Sequence, residues 1–137
     1  YDAAHAFGVS HGGRSVLLDG DVSCLSFHAT KIFNTGEGGA CVTSDKDLSA
    51  RIRRLRFFGF DESKTIVDYG MNGKMSEVHA ALGLSNIPYI ARVAEDRRCK
   101  YELYVRLLSR HTDLTFQKYA EEEYNFSYIP VLFPDET

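Results

Sequence analysis

Lys31 follows an apolar, strand-like run, Ser26-Phe27-His28-Ala29-Thr30-Lys31, and precedes a glycine-rich turn, Thr35-Gly36-Glu37-Gly38-Gly39. A lysine is ordinarily a solvated surface residue, and one set among apolar residues loses hydration unless it has a partner or a covalent task. Burial lowers an amine's pKa toward neutrality, where it can attack an aldehyde and hold a Schiff base. Two readings therefore stand for Lys31, a surface cation or a nucleophilic amine. Asp2, at what reads as the end of a strand, is either a turn-capping residue or a functional carboxylate. His5 is either a hydrogen-bonded core histidine or a group facing a ligand, and Ser26 is either a structural strand serine or a hydroxyl donor. Asp2 with His5 or His28 has no accompanying His/Glu cluster, so no metal site is expected. The glycines at 36, 38 and 39 have neither dinucleotide-loop nor P-loop spacing, and a plain β-turn remains open there.

The elements that must position these residues alternate between strands and helices. Residues 1–6 are small and apolar around Asp2, as at the C-terminal end of a buried parallel strand, where ligands collect in open α/β sheets. Residues 22–27 and 40–43 read as strands, which leaves Lys31 in the loop between them. Residues 15–18 could form a further short strand. Asp45 and Asp47 start a helix over residues 46–57, with Leu48, Ile52 and Leu55 on one stripe and Gly59 ending it. Residues 60–69 show no period and read as a mobile loop. Ser76 with Glu77 opens a second helix, which Pro88 should bend or interrupt, and a third spans residues 91–110. Residues 114–117 and 125–133 read as strands of a smaller α+β region, separated by a loop at 118–124.

Composition narrows the function classes. The chain has 137 residues, of which 44% are hydrophobic and 26% charged, as in ordinary globular proteins. Its formal charge of −3 argues against nucleic-acid binding, although Arg51, Arg53, Arg54 and Arg56 make one basic helix. No apolar run reaches the ~20 residues of a membrane span, and a cytoplasmic location is expected. Cys24, Cys41 and Cys99 are too widely spaced for a zinc or disulfide framework and are expected to be buried free thiols.

Taken together, the stretches at 26–31 and 35–39 resemble a known family. The likeness extends to Asp2-Ala3-Ala4-His5-Ala6-Phe7-Gly8, to Asn72-Gly73-Lys74-Met75-Ser76-Glu77 and to Ala80-Ala81-Leu82-Gly83. Four motifs in this order are similar to the nucleotide-sugar aminotransferases (DegT/StrS-like), fold type I pyridoxal-phosphate enzymes of the aspartate aminotransferase superfamily. The resemblance implies an α/β fragment: a PLP-binding large-domain portion at 1–90, a connecting helix at 91–110, and the start of a small α+β domain at 111–137. Members are much longer, so the phosphate loop and the aromatic residue that stacks on the cofactor ring are expected outside these residues.

The resemblance also implies roles. Lys31 would carry the Schiff base to pyridoxal 5'-phosphate and shuttle the proton; Asp2 would face the pyridinium nitrogen; His5 would pack near the ring or its hydroxyl; Ser26 would bind the phosphate; Asn72 would reach the phosphate of a neighbouring subunit in a homodimer. Lys74 stands where the family usually has arginine, which puts a bidentate contact there in doubt. The implied reaction transfers an amino group, from glutamate, to a keto-sugar nucleotide in amino-sugar and lipopolysaccharide or O-antigen biosynthesis. The rival is a non-catalytic sugar-nucleotide-binding or assembly module on the same fold, which has no need of the Lys31 amine. A dehydratase relative would carry histidine at that position.

Overall fold

The computed structural model describes residues 1–111, 113–119 and 124–134. A short hairpin, β1 (Ser10–His11) and β2 (Arg14–Ser15), precedes a 3-10 turn at Val16–Leu18. The strand considered for residues 15–18 is replaced by that turn, because the Ser15 hydroxyl accepts the Leu17 amide and caps it. The structural centre of the N-terminal half is the antiparallel pair β3 (Ser23–Ser26) and β4 (Gly39–Val42), with Ser23 opposite Val42 and Ser26 opposite Gly39. Residues 1–3 run parallel along the other side of β3. Cys24 donates to the Tyr1 carbonyl and the Ala3 amide donates to Cys24, both at 2.9 Å, with the bridge at Asp2. Ser23 and Leu25 turn inward while Cys24 faces out, as strand alternation requires. The three cysteines are exposed, which corrects the expectation of buried thiols; in β3 the inward places belong to Ser23 and Leu25.

Helix α1 (Lys46–Leu55) is capped by Asp45, whose carboxylate accepts from the Asp47 and Leu48 amides at 2.8 and 2.9 Å. The chain then turns at Gly59, which takes φ +77° and donates to the Arg54 carbonyl; a Cβ there would sit 2.0 Å from the Asp68 carbonyl oxygen. The aperiodic stretch at 60–69 is a hydrogen-bonded turn. One Asp61 carboxylate oxygen accepts from the Ser63 amide, the Ser63 hydroxyl and the Thr65 amide, and Arg51 pairs with Asp68 at 3.0 Å. These bonds, led by the Ser63 hydroxyl, hold the Asp61 carboxyl below its usual range.

Helix α2 (Glu77–Asn86) starts at Ser76, whose hydroxyl accepts the His79 amide. The interruption expected at Pro88 is one 3-10 turn, Ile87–Tyr89, that leads directly into α3 (Ile90–Leu108). Tyr101 of α3 is buried against Tyr119, Tyr124 and Phe126, with ring centroids 5.0 to 6.3 Å apart. An exposed flank of the helix carries the i,i+3 and i,i+4 pairs of Arg98 with Glu95 and Glu102. The last pair, β5 (Thr115–Phe116) and β6 (Val131–Leu132), is antiparallel. Most of the strand expected at 125–133 is irregular, because Phe126 takes φ +52° to reach the Tyr101 cluster and the backbone cannot stay extended through it. Within the loop expected at 118–124, positions 120–123 lie outside the described residues.

Candidate functional site

Lys31 sits in the 27–38 loop between β3 and β4, and the sheet closes that loop at its base. The Phe27 amide donates to the Gly38 carbonyl at 2.8 Å and the Thr35 amide donates to Phe27 at 2.9 Å. Inside the loop Ile32, Phe33 and Thr35 are buried, and Phe33 lies 4.8 Å from the rings of both Phe7 and Phe27. Helix α2 presses on the loop from outside. A Cβ at Gly83 would come within 2.7 Å of the Thr35 methyl, and the Asn86 side chain donates to the Asn34 carbonyl at 3.0 Å. The apolar residues beside Lys31 are thus anchors, and they fix where its half-buried side chain leaves the backbone.

A cavity of about 790 Å³ is lined by Asp2, Ala4 and His5 from the N-terminal segment and by Asn125 and Tyr128 from the C-terminal one. That volume lies within the ~300–1,000 Å³ typical of small-molecule sites. One Asp2 oxygen accepts the Ala4 amide at 3.0 Å. Lys31 does not line this cavity directly. Its amine lies 5.9 Å from the centre of the Tyr128 ring, and that ring in turn lies 4.6 Å from the His5 ring, so Tyr128 links the lysine to the cavity that holds Asp2 and His5. Ser26 ends β3 nearby, and its hydroxyl oxygen accepts the His28 amide at 3.3 Å.

Asn72 is not among the residues lining the cavity. Its backbone bridges Phe57 beyond the end of α1, and the neighbouring Lys74 amine rests 4.1 Å from the Phe58 ring centre. Of the expected site residues, then, Asp2, His5 and Lys31 are brought together through Tyr128, Ser26 stands at the root of the lysine loop, and Asn72 is apart. Among the described residues no three His, Cys, Asp or Glu side chains converge as a metal site, and no helix is long and apolar enough to cross a membrane.

Asn125 and Arg97, which position the Tyr128 segment, carry no motif signal. Asn125 is buried, and its side-chain amide donates to the carbonyls of His5 at 2.7 Å and Phe7 at 2.9 Å. Arg97 donates to the Ser127 carbonyl at 3.1 Å and to the Thr30 carbonyl at 3.4 Å. Together they strap the 124–128 segment across the site and hold Tyr128 in place. The polar Asn125 inside an apolar run was the one available sign. Asn125→Ala is expected to lower stability by about 1–3 kcal/mol, the cost of leaving a buried acceptor without its donor. Denaturant unfolding of the full-length protein measures it, and Ser127→Ala, which removes only one contact to Asn125, should cost less.

The sequence pattern of the DegT/DnrJ/EryC1/StrS aminotransferase family matches residues 1–137. A dTDP-4-amino-4,6-dideoxy-D-glucose transaminase of Shigella dysenteriae is 44% identical over 133 residues, 96% of this chain and 36% of that protein. Its namesake of Escherichia coli is 37% identical over 138 residues, 98% of this chain and 37% of that one. The crystal structure of DesI in the presence of its TDP-sugar product superposes with a TM-score of 0.88 at 39% identity, covering 97% of this chain and 34% of DesI. The chain therefore spans little more than a third of the length of these curated relatives.

Proposed function

Because the chain belongs to the DegT/DnrJ/EryC1/StrS aminotransferase family, we propose that it is the lysine-bearing part of a pyridoxal-phosphate-dependent aminotransferase. The observation that carries this reading is the Lys31 amine 5.9 Å from the centre of the Tyr128 ring, a ring that lines one cavity with Asp2 and His5. The residues present fit the cofactor. The cavity has room for a planar ring beside the small side chains of Ala3, Ala4 and Ala6, and Asp2 offers a carboxylate there. Ser26 uses its oxygen as an acceptor, which leaves its hydroxyl hydrogen for a phosphate oxygen. When bound, pyridoxal phosphate supplies an electron sink for the carbanion at the substrate carbon.

The chain's own residues then divide the work. Asp2 would hold the proton on the ring nitrogen, His5 would pack near the ring or its hydroxyl, and Lys31 Nζ would anchor the cofactor and then move the proton to and from the substrate carbon. The substrates proposed are glutamate as donor and a keto-sugar nucleotide as acceptor, in the cytoplasmic synthesis of amino sugars for lipopolysaccharide or O-antigen. The names of the transaminase relatives support the sugar-nucleotide class. Within the chain, residues 1–90 form the large-domain portion, 91–110 the connecting helix and 111–137 the start of the small domain; the span of α3 supports this division. Supplying [15N]glutamate with a keto-sugar nucleotide to the full-length protein should yield a sugar nucleotide carrying the label. A protein that binds the sugar nucleotide and transfers no label is the non-catalytic module instead.

A homodimer with shared sites is part of the proposal. Phe57, Tyr69 and Met71, which flank Asn72 in space or sequence, are all exposed. Mixing full-length Lys31→Ala and Asn72→Ala subunits should restore roughly a quarter of wild-type activity, since half the dimers are mixed and each of those has one intact site. No recovery despite proven subunit exchange would place Asn72 outside the shared site.

A further inference from the structure

We propose that Cys24 and Cys41 are a redox-responsive dithiol, converted by hydroperoxides into an intrachain disulfide across β3 and β4. The two residues are direct partners in the ladder, and their sulfurs are 3.9 Å apart. The Cys24 amide and carbonyl both bond to residues 1–3, so neither is spent on Cys41. This makes the pair a non-hydrogen-bonded one, in which the facing Cα atoms lie closest, about 4.5 Å apart. Disulfides accept Cα separations from about 4.4 Å, and a sulfur–sulfur bond of about 2.05 Å then needs side-chain rotation with little backbone movement.

Access favours the same reading. Both cysteines are exposed, and both line a cavity of about 450 Å³ together with Arg53 and Arg56 of the α1 end. Desolvation first, then the contact with Cys24, pushes the Cys41 thiol up, which leaves the first attack to Cys24. The Cys24 thiolate attacks one peroxide oxygen and breaks the O–O bond; Cys24 becomes a sulfenic acid and the other oxygen leaves as an alkoxide or hydroxide that takes a proton. The Cys41 sulfur then attacks the Cys24 sulfur, the S–O bond breaks, and water departs. The dithiol loses two electrons and two hydrogens, and the peroxide is reduced. Cys24 stands two residues before Ser26 and Cys41 two after Gly39, so the bond would form two ladder steps from the base of the Lys31 loop.

The test treats the folded full-length protein with hydrogen peroxide, blocks free thiols with iodoacetamide, and digests it with trypsin without reduction. The cut after Lys31 separates the two cysteines, so the expected product is peptide 15–31 joined to peptide 32–46, two hydrogens lighter than their sum and split by a thiol reductant. Cys99 should remain alkylated. Cys41→Ser should abolish the joined pair and leave a sulfenic acid on Cys24 that a 1,3-dione reagent traps. Full alkylation of both cysteines after peroxide, or a bond from either to a different cysteine, would overturn the proposal.

Discussion

Lys31→Ala in the full-length protein is expected to lower kcat by at least about a thousandfold, because one substitution removes both the covalent anchor and the proton shuttle, and general acid–base catalysis alone contributes about 10²–10⁴. The fold should survive it. The loop is held by buried Ile32, Phe33 and Thr35 and by the closing bonds at Phe27, none of which uses the Lys31 side chain. Lys31→Arg separates charge from chemistry. It keeps a cation over the Tyr128 ring but offers no amine able to lose its proton, so it should be as inactive as alanine. Unfolding midpoints close to wild type in both variants, with turnover lost, give the expected pattern; turnover within tenfold of wild type in Lys31→Arg would assign the residue a merely electrostatic part.

Asp2→Asn should lower kcat by about 10²–10³, in line with the removal of one preorganised electrostatic contact, while cofactor stays bound. The substitution is close to isosteric. An asparagine oxygen can still accept the Ala4 amide, so the bridge to Cys24 and the cavity wall are preserved. What is lost is the negative charge that keeps the ring nitrogen protonated. Turnover within about twofold of wild type would reduce Asp2 to the turn-capping role that its bond to Ala4 already shows.

The parts of the fold that were legible in the sequence are those with a local cause. Alternation marked β3 and β4, Asp45 and Ser76 marked helix starts through side-chain bonds to nearby amides, and Pro88 marked the break before α3. The 60–69 turn was not legible because one carboxylate, Asp61, organises it through neighbours that show no period. Nor was the strap over the site. Arg97 is separated from Thr30 by 67 positions and Asn125 from His5 by 120, so only the folded chain reveals that they meet. The motif residues Asp2, His5 and Lys31 could be named from sequence, whereas Tyr128, the ring that connects them, lies in a stretch that reads as an ordinary strand.

The central claim is that Lys31 is the amine that bonds the cofactor. Borohydride reduction of the full-length protein loaded with pyridoxal phosphate, followed by peptide mass mapping, tests it directly. The account predicts a pyridoxyl adduct on Lys31, with trypsin no longer cutting after that residue. An adduct on Lys46 or Lys64, with Lys31 unmodified, would contradict it.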